Sequence, residues 1–202
     1  MIALAKDIDR DDGPREDHFV HLHGATWADY ERLLEMRGEC SVPRITYLEG
    51  TIEIMSPSQT HEVVKSTIGR LVETWCLERG VAFTTVGSWT LASKKDECGL
   101  EPDECYVFGE LGQSARPDLA IEVVWTSGGI GKLDVYRKLG VAEVWFWRKG
   151  RITVHRLRGD QYVEVPQSVA LPGIDLDRLL EFIDRPSTSQ AILDYRAALR
   201  SG

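Results

Sequence analysis

Arg116-Pro117-Asp118-Leu119-Ala120-Ile121-Glu122-Val123-Val124-Trp125 is the stretch on which the fold depends. From Leu119 to Trp125 every residue is apolar except Glu122, the pattern of a strand covered on both faces. An ionised carboxylate in such a strand is costly unless it is paired or bound to a metal. Side chains alternate along a strand, which predicts Asp118, Ala120 and Glu122 on one face and Leu119, Ile121 and Val123 on the other. Two acids on either side of a small Ala then make a carboxylate pocket. The competing reading is a Glu122 that pairs with an Arg or Lys and only holds the core together.

The neighbouring sequence adds to this centre. Upstream, Glu101-Pro102-Asp103 sets a further acid at the head of an apolar strand, Cys105-Tyr106-Val107-Phe108. If that strand lies beside the first, Asp103, Asp118 and Glu122 converge on one sheet edge, and hard oxygen ligands of this kind suit Mg²⁺ or Mn²⁺. Downstream, Thr126-Ser127-Gly128-Gly129-Ile130-Gly131-Lys132 runs into a helix. A phosphate-cradling GxxxxGK[ST] loop is not met, because Leu133 follows the Lys. The loop instead returns the Lys132 ammonium toward the acidic strand, with Lys138 a second candidate for the same task. His61 and Glu62 open a long helix and are accessory candidates for holding a water or a second metal. Glu49 and Glu53, on a hairpin, are more ambiguous acids.

Farther out, local signals predict the remaining elements. Residues 1–22 are polar and acidic with no apolar period, and are expected as a loose tail. His18, His21 and His23 fall in it at a spacing that fits no regular metal shell. Thr26 and Asp29 form a capping box for a helix from Trp27 that Gly38 ends. Arg44–Met55 alternates around Glu49-Gly50 as a hairpin. Val63, Val64, Ile68, Leu71, Val72 and Trp75 form one apolar stripe of a helix over 60–79, with Gly80 past its end. Strands are expected at 81–85, 88–91, 103–108 and 119–125, with 93–100 a polar loop. A helix over 132–139, strands at 141–147, 152–157 and 162–165, and short helices near 177–183 and 190–199 complete the chain. Trp145 and Trp147 suggest a strand face for core packing or for a partner, including a homodimer. The order predicts a mixed sheet with helices packed on it, in one α/β (α+β) domain over 23–202 with a C-terminal helical extension.

Composition bounds the function. The 202 residues carry 24 basic and 32 acidic side chains, a net charge of −8. That excludes a non-specific nucleic-acid coat, which needs positive charge to displace counterions, but it does not exclude a nuclease whose metal is held by acids. No window approaches the roughly 20 apolar residues of a membrane span, and the start lacks a secretory signal. The 4 cysteines form no CxxC pair, so free thiols in the cytoplasm are expected.

Several of these segments have a familiar combination. Glu101-Pro102-Asp103-Glu104-Cys105-Tyr106, Pro117–Val123, Lys132-Leu133 followed by Tyr136 and Leu139-Gly140-Val141, Glu143-Val144-Trp145, and Met55-Ser56-Pro57-Ser58 before His61 together resemble the Uma-type family of restriction endonucleases. The resemblance covers about residues 25–165. It implies the PD-(D/E)XK nuclease fold, a central mixed sheet flanked by helices in αβββαβ order. Asp103 then matches the acid on the second core strand, Glu122 the acid on the third, and Asp118 the Pro-Asp at its head. The pattern would place a Lys two positions after Glu122; Val124 stands there, and Lys132 on the following helix takes over. On this resemblance Asp103, Glu122 and the Val123 carbonyl would hold Mg²⁺ or Mn²⁺, and the substrate would be DNA. The rival is a catalytically silent nuclease-fold module that binds DNA or a protein, favoured by the −8 charge and by Val124. Fold alone does not decide between them.

Overall fold

A computed structural model of the chain describes residues 16–87, 89–112, 116–125 and 129–201. In chain order the elements are β1 (His18–His23), α1 (Trp27–Arg37), β2 (Arg44–Leu48), β3 (Thr51–Ser56), α2 (Gln59–Arg79), β4 (Phe83–Thr85), β5 (Leu91–Ser93) and β6 (Cys98–Leu100). There follow β7 (Glu104–Phe108), β8 (Leu119–Val123), α3 (Lys132–Leu139), β9 (Glu143–Arg148), β10 (Arg151–Arg158), β11 (Gln161–Val165), α4 (Leu176–Leu180) and α5 (Thr188–Ser201).

Local chemistry sets several of these boundaries. Thr26 and Asp29 close the capping box on α1. Ser58 caps α2 by accepting from the His61 amide, and Gly80 ends it in the left-handed conformation. The β2–β3 turn holds Glu49 at φ 43° and Gly50 at φ 91°, the pair of positive angles that a two-residue hairpin of right-handed twist demands.

The strands form two sheets. The larger runs β11-β10-β9-β8-β7-β4, and the smaller β1-β3-β2-β6-β5. Every pairing is antiparallel except β8 with β9, and α3 makes that crossover. Through the larger sheet the order is α2, β4, β7, β8, α3, β9, which is the expected αβββαβ.

Helices cover both faces of the larger sheet. On one side Leu119, Ile121 and Val123 pack with Ile68, Leu71 and Val72 of α2, with Trp145 and Trp147, and with Leu179 and Tyr195 of the C-terminal helices. Truncating Leu71, fully buried there, is expected to cost about 2–5 kcal/mol. On the other side Ala120, Cys105 and Val144 meet Val135 and Tyr136 of α3 and Leu91, Cys98 and Leu100 of the smaller sheet. A third cluster seats Tyr30 of α1 on Ile45, Tyr47 and Ile52. Tyr30 lies where a Cβ on Gly99 would stand, so only glycine fits that strand position.

Two expectations are corrected and two are made more specific. The tail ends earlier than foreseen, because His18–His23 pairs with β3 in full register; residues 1–15 lie outside the described chain. The central mixed sheet is present as expected, and a second, smaller antiparallel sheet accompanies it. The supposed loop at 93–100 carries the β5–β6 hairpin, whose three-residue strands are too short to show a period. Trp145 and Trp147 are 0% and 6% exposed, so they fill the core and offer no partner face. Cysteines 40, 76, 98 and 105 are free thiols. No helix among the described residues is long and apolar enough to cross a membrane.

Candidate active site

Glu122 is fully buried, and alternation along β8 turns it with Ala120 toward α3. Its carboxylate is met by two donors from one face of that helix. Lys132 Nζ donates to Oε2 over 2.6 Å, and the Tyr136 hydroxyl donates to Oε1. The two donors are one helical turn apart. Gly131 precedes the helix without a side-chain cap, so Lys132 enters directly from the glycine-rich loop. Burial, and then the charge of Glu122 beside it, push the Tyr136 hydroxyl well above its ordinary pKa.

Asp103 arrives from the adjacent strand. Glu104 lies opposite Ile121 and Cys105 opposite Ala120, and the same register carries Asp103 to the end of β8. There its Oδ2 accepts from the Val123 amide over 2.6 Å. Oδ1 faces His61 Nε2 at 3.0 Å and forms an ion pair with Arg44 Nη1. Asp103, His61 and Arg44 are all buried.

A second layer holds these groups. His61 Nδ1 lies 2.9 Å from Asp17 Oδ2, and Asp17 Oδ1 accepts from the Ser58 amide over 2.8 Å. Burial opposes ionisation of Asp17, but the bonds from His61 and Ser58 outweigh it and hold its carboxyl below the usual range. Arg44 also donates to Glu62 Oε1 over 3.0 Å, and Lys65 pairs with the other Glu62 oxygen at 2.7 Å. Burial raises the Glu62 carboxyl, and the Lys65 and Arg44 cations more than reverse this. Glu53, also buried, accepts from the Ile130 amide over 3.1 Å and lies 2.9 Å from His21 Nε2, which pins the loop ahead of Lys132.

A cavity of about 630 Å³ opens beside these residues, lined by Asp17, Glu53, Val123, Lys132, Phe146 and Arg148 among others. Lys132 is the charged donor on Glu122 that reaches it; its side chain is 17% exposed.

The expected residues therefore divide. Asp103, Glu122, Val123, Lys132, His61 and Glu62 are brought to one region. Asp118 is not: its Oδ2 accepts from the Phe108 amide over 2.9 Å, at the opposite end of β8 and roughly 13 Å from Glu122 at ~3.3 Å per residue. Glu49 is not either; it sits on the hairpin turn and pairs with Lys138 at 2.6 Å. Lys138 is committed there and to the Asp96 carbonyl, so of the two candidate lysines Lys132 is the one on Glu122. Glu101 is occupied with Arg37, the Ile45 amide and Thr90, a link between the sheets. Sequence reasoning missed Arg44, Asp17 and Tyr136. Tyr136 was recoverable from its helical spacing to Lys132, whereas Arg44 and Asp17 carry no local signal.

Among the described residues no group of three His, Cys, Asp or Glu side chains is arranged to hold a metal ion. The donor chemistry nonetheless suits a hard divalent cation, with two buried carboxylates at the ends of neighbouring strands. The Asp103 oxygen already takes a cation, the Arg44 guanidinium. That guanidinium is imperfectly housed, for Arg44 Nε is buried with no hydrogen-bond partner among the described residues.

Comparison with known proteins adds the following. Residues 27–184 match the model of the Uma2 family, described as "Putative restriction endonuclease". A solved structure of a "putative nuclease belonging to DUF820" from Anabaena variabilis is similar at 14% identity and TM-score 0.46, covering 80% of this chain and 96% of that one. No curated protein matches.

Proposed function

This chain belongs to the Uma2 family, described as "Putative restriction endonuclease", and on that premise we propose that it is a divalent-metal-dependent endonuclease that hydrolyses phosphodiester bonds in DNA. The observation that carries the reading is the buried Glu122 with the Lys132 ammonium on it, next to Asp103 on the adjoining strand. Asp103, Glu122 and the Val123 carbonyl would hold Mg²⁺ or Mn²⁺. Bound there, the ion supplies Lewis-acid polarisation of a phosphate oxygen and acidification of a water.

The chain's own residues do the rest. Glu122 positions the Lys132 ammonium at the wall of the cavity, where it meets the phosphate. As negative charge grows on the phosphoryl oxygens, that fixed ammonium offsets it without reorganisation. Tyr136 locks the second Glu122 oxygen and keeps the carboxylate from rotating. His61 and Asp17 orient Asp103 through its Oδ1. Sheet and helices exclude bulk water from these groups, which strengthens each interaction.

Glu122→Gln tests the reading. Mg²⁺-dependent cleavage of plasmid DNA should disappear while the far-ultraviolet circular dichroism remains that of the unmodified chain. Cleavage retained in that variant overturns the proposal. The second reading, a silent module that binds nucleic acid or protein, is favoured by one observation: Arg44 and Lys132 already neutralise both acids. Calorimetric titration with Mn²⁺ separates the two, because the silent module takes up no ion.

A further inference from the structure

Arg44 has a place that the nuclease reading does not use. It comes from β2 of the smaller sheet and reaches the acid at the head of β7 in the larger. Its Nη1 sits on Asp103 Oδ1, and its Nη2 donates to Glu62 Oε1 over 3.0 Å. His61 Nε2 is a further 3.5 Å neighbour of Nη1. The two anchors differ in character. Asp103 is wholly buried, whereas the Glu62 side chain is 39% exposed and shared with Lys65.

We propose that Arg44 is a resident counter-ion on Asp103 that a divalent metal must displace, with Glu62 keeping the displaced guanidinium beside the site. This rests on the reading of Asp103 as a metal ligand. The argument is one of charge and satisfaction. A buried carboxylate without a cation is expensive, so Asp103 needs Arg44 whenever no metal is bound. One carboxylate oxygen cannot serve a guanidinium and a divalent ion in the same position, because like charges at contact distance repel strongly in a buried setting. The resident arrangement is also not the best that Arg44 can make, since its Nε–H is buried and has no partner among the described residues, a deficit that movement toward solvent would relieve. Because Glu62 already holds Nη2, the exchange requires only that Nη1 release Asp103. Arg44 thereby weakens metal affinity and keeps the charge of the carboxylate compensated when no ion is bound.

Calorimetric titration with Mn²⁺ compares the unmodified chain with Arg44→Gln. The variant should bind at least ~10-fold more tightly, because a competitor worth one decade of affinity has gone. Equal or weaker binding by a folded variant overturns the competition while leaving the metal reading intact. Absence of Mn²⁺ binding in both proteins removes the metal reading and the proposal with it. The unmodified chain gives a second readout that needs no substitution. On titration with Mg²⁺ the Arg44 Nε–Hε resonance should move in step with the calorimetric saturation. A resonance that stays fixed as Mg²⁺ saturates the site overturns the displacement.

Discussion

Lys132 Nζ and Glu122 Oε2 lie 2.6 Å apart across ten residues of chain, an ion pair with its acid in the core and its amine at a cavity. The amine's placement follows from the acid's burial, since a carboxylate taken out of water is costly without a cation against it. Lys132→Met should therefore lower both stability and turnover. We expect a loss of roughly 2–4 kcal/mol in urea denaturation, from a buried charge left with one partner, and a fall in kcat of about 10²–10³-fold. A variant that retains both would show that the pair is ornamental.

Tyr136 sets a pH dependence. Tyrosine ionises near pH 10 in an unfolded chain, and burial, followed by Glu122, raises the folded hydroxyl well above that. Above pH ~10 the native state keeps a proton that the unfolded state has lost, so stability falls as pH climbs. Denaturation midpoints measured from pH 8 to 11.5 should decline less steeply for Tyr136→Phe than for the unmodified chain. At neutral pH that variant should lose about 1–3 kcal/mol, for the bond withdrawn from Glu122.

Glu53 governs the loop. Its carboxylate holds the Ile130 amide at 3.1 Å, so Glu53→Ala should accelerate hydrogen exchange at Ile130 by about 10-fold or more while the amides of β8 remain protected. Gly129 presses on the same carboxylate, at φ 118°, where an added Cβ would meet Glu53 Oε2. Gly129→Ala should reproduce the effect. Unchanged exchange at Ile130 in both variants would show that the loop is held by something else.

Asp118 provides the contrasting case. Its bond is to the Phe108 amide, at the far end of the strand. Asp118→Asn should leave Mn²⁺ affinity within about 3-fold and cost roughly 1 kcal/mol of stability. A complete loss of ion binding, seen by calorimetry, would return Asp118 to the site.

What the sequence made legible was local. Glu122 stood out as a charge in an apolar strand, and α1, α2 and α3 were bounded by a capping box, an apolar stripe and terminal glycines that act within a few residues. The β5–β6 edge of the smaller sheet was hidden because Leu91–Ser93 and Cys98–Leu100 are too brief for alternation to register. Arg44 was hidden for another reason: an ion pair between residues on different sheets leaves no spacing to read. Asp118 was misplaced because counting alternate positions ignores length, and at ~3.3 Å per residue four positions outrun any shared shell.

The three residues Glu101-Pro102-Asp103 carry the backbone from β6 to β7, from one sheet directly to the other. Arg37 and Arg44 grip the two acids of this short bridge, and proline stiffens its middle. Asp103, the proposed metal ligand, is thus mounted on a short tether rather than in the body of either sheet. A tilt of one sheet against the other would reach Asp103 with little slack to absorb it, so the angle between the sheets and the position of that carboxylate are coupled.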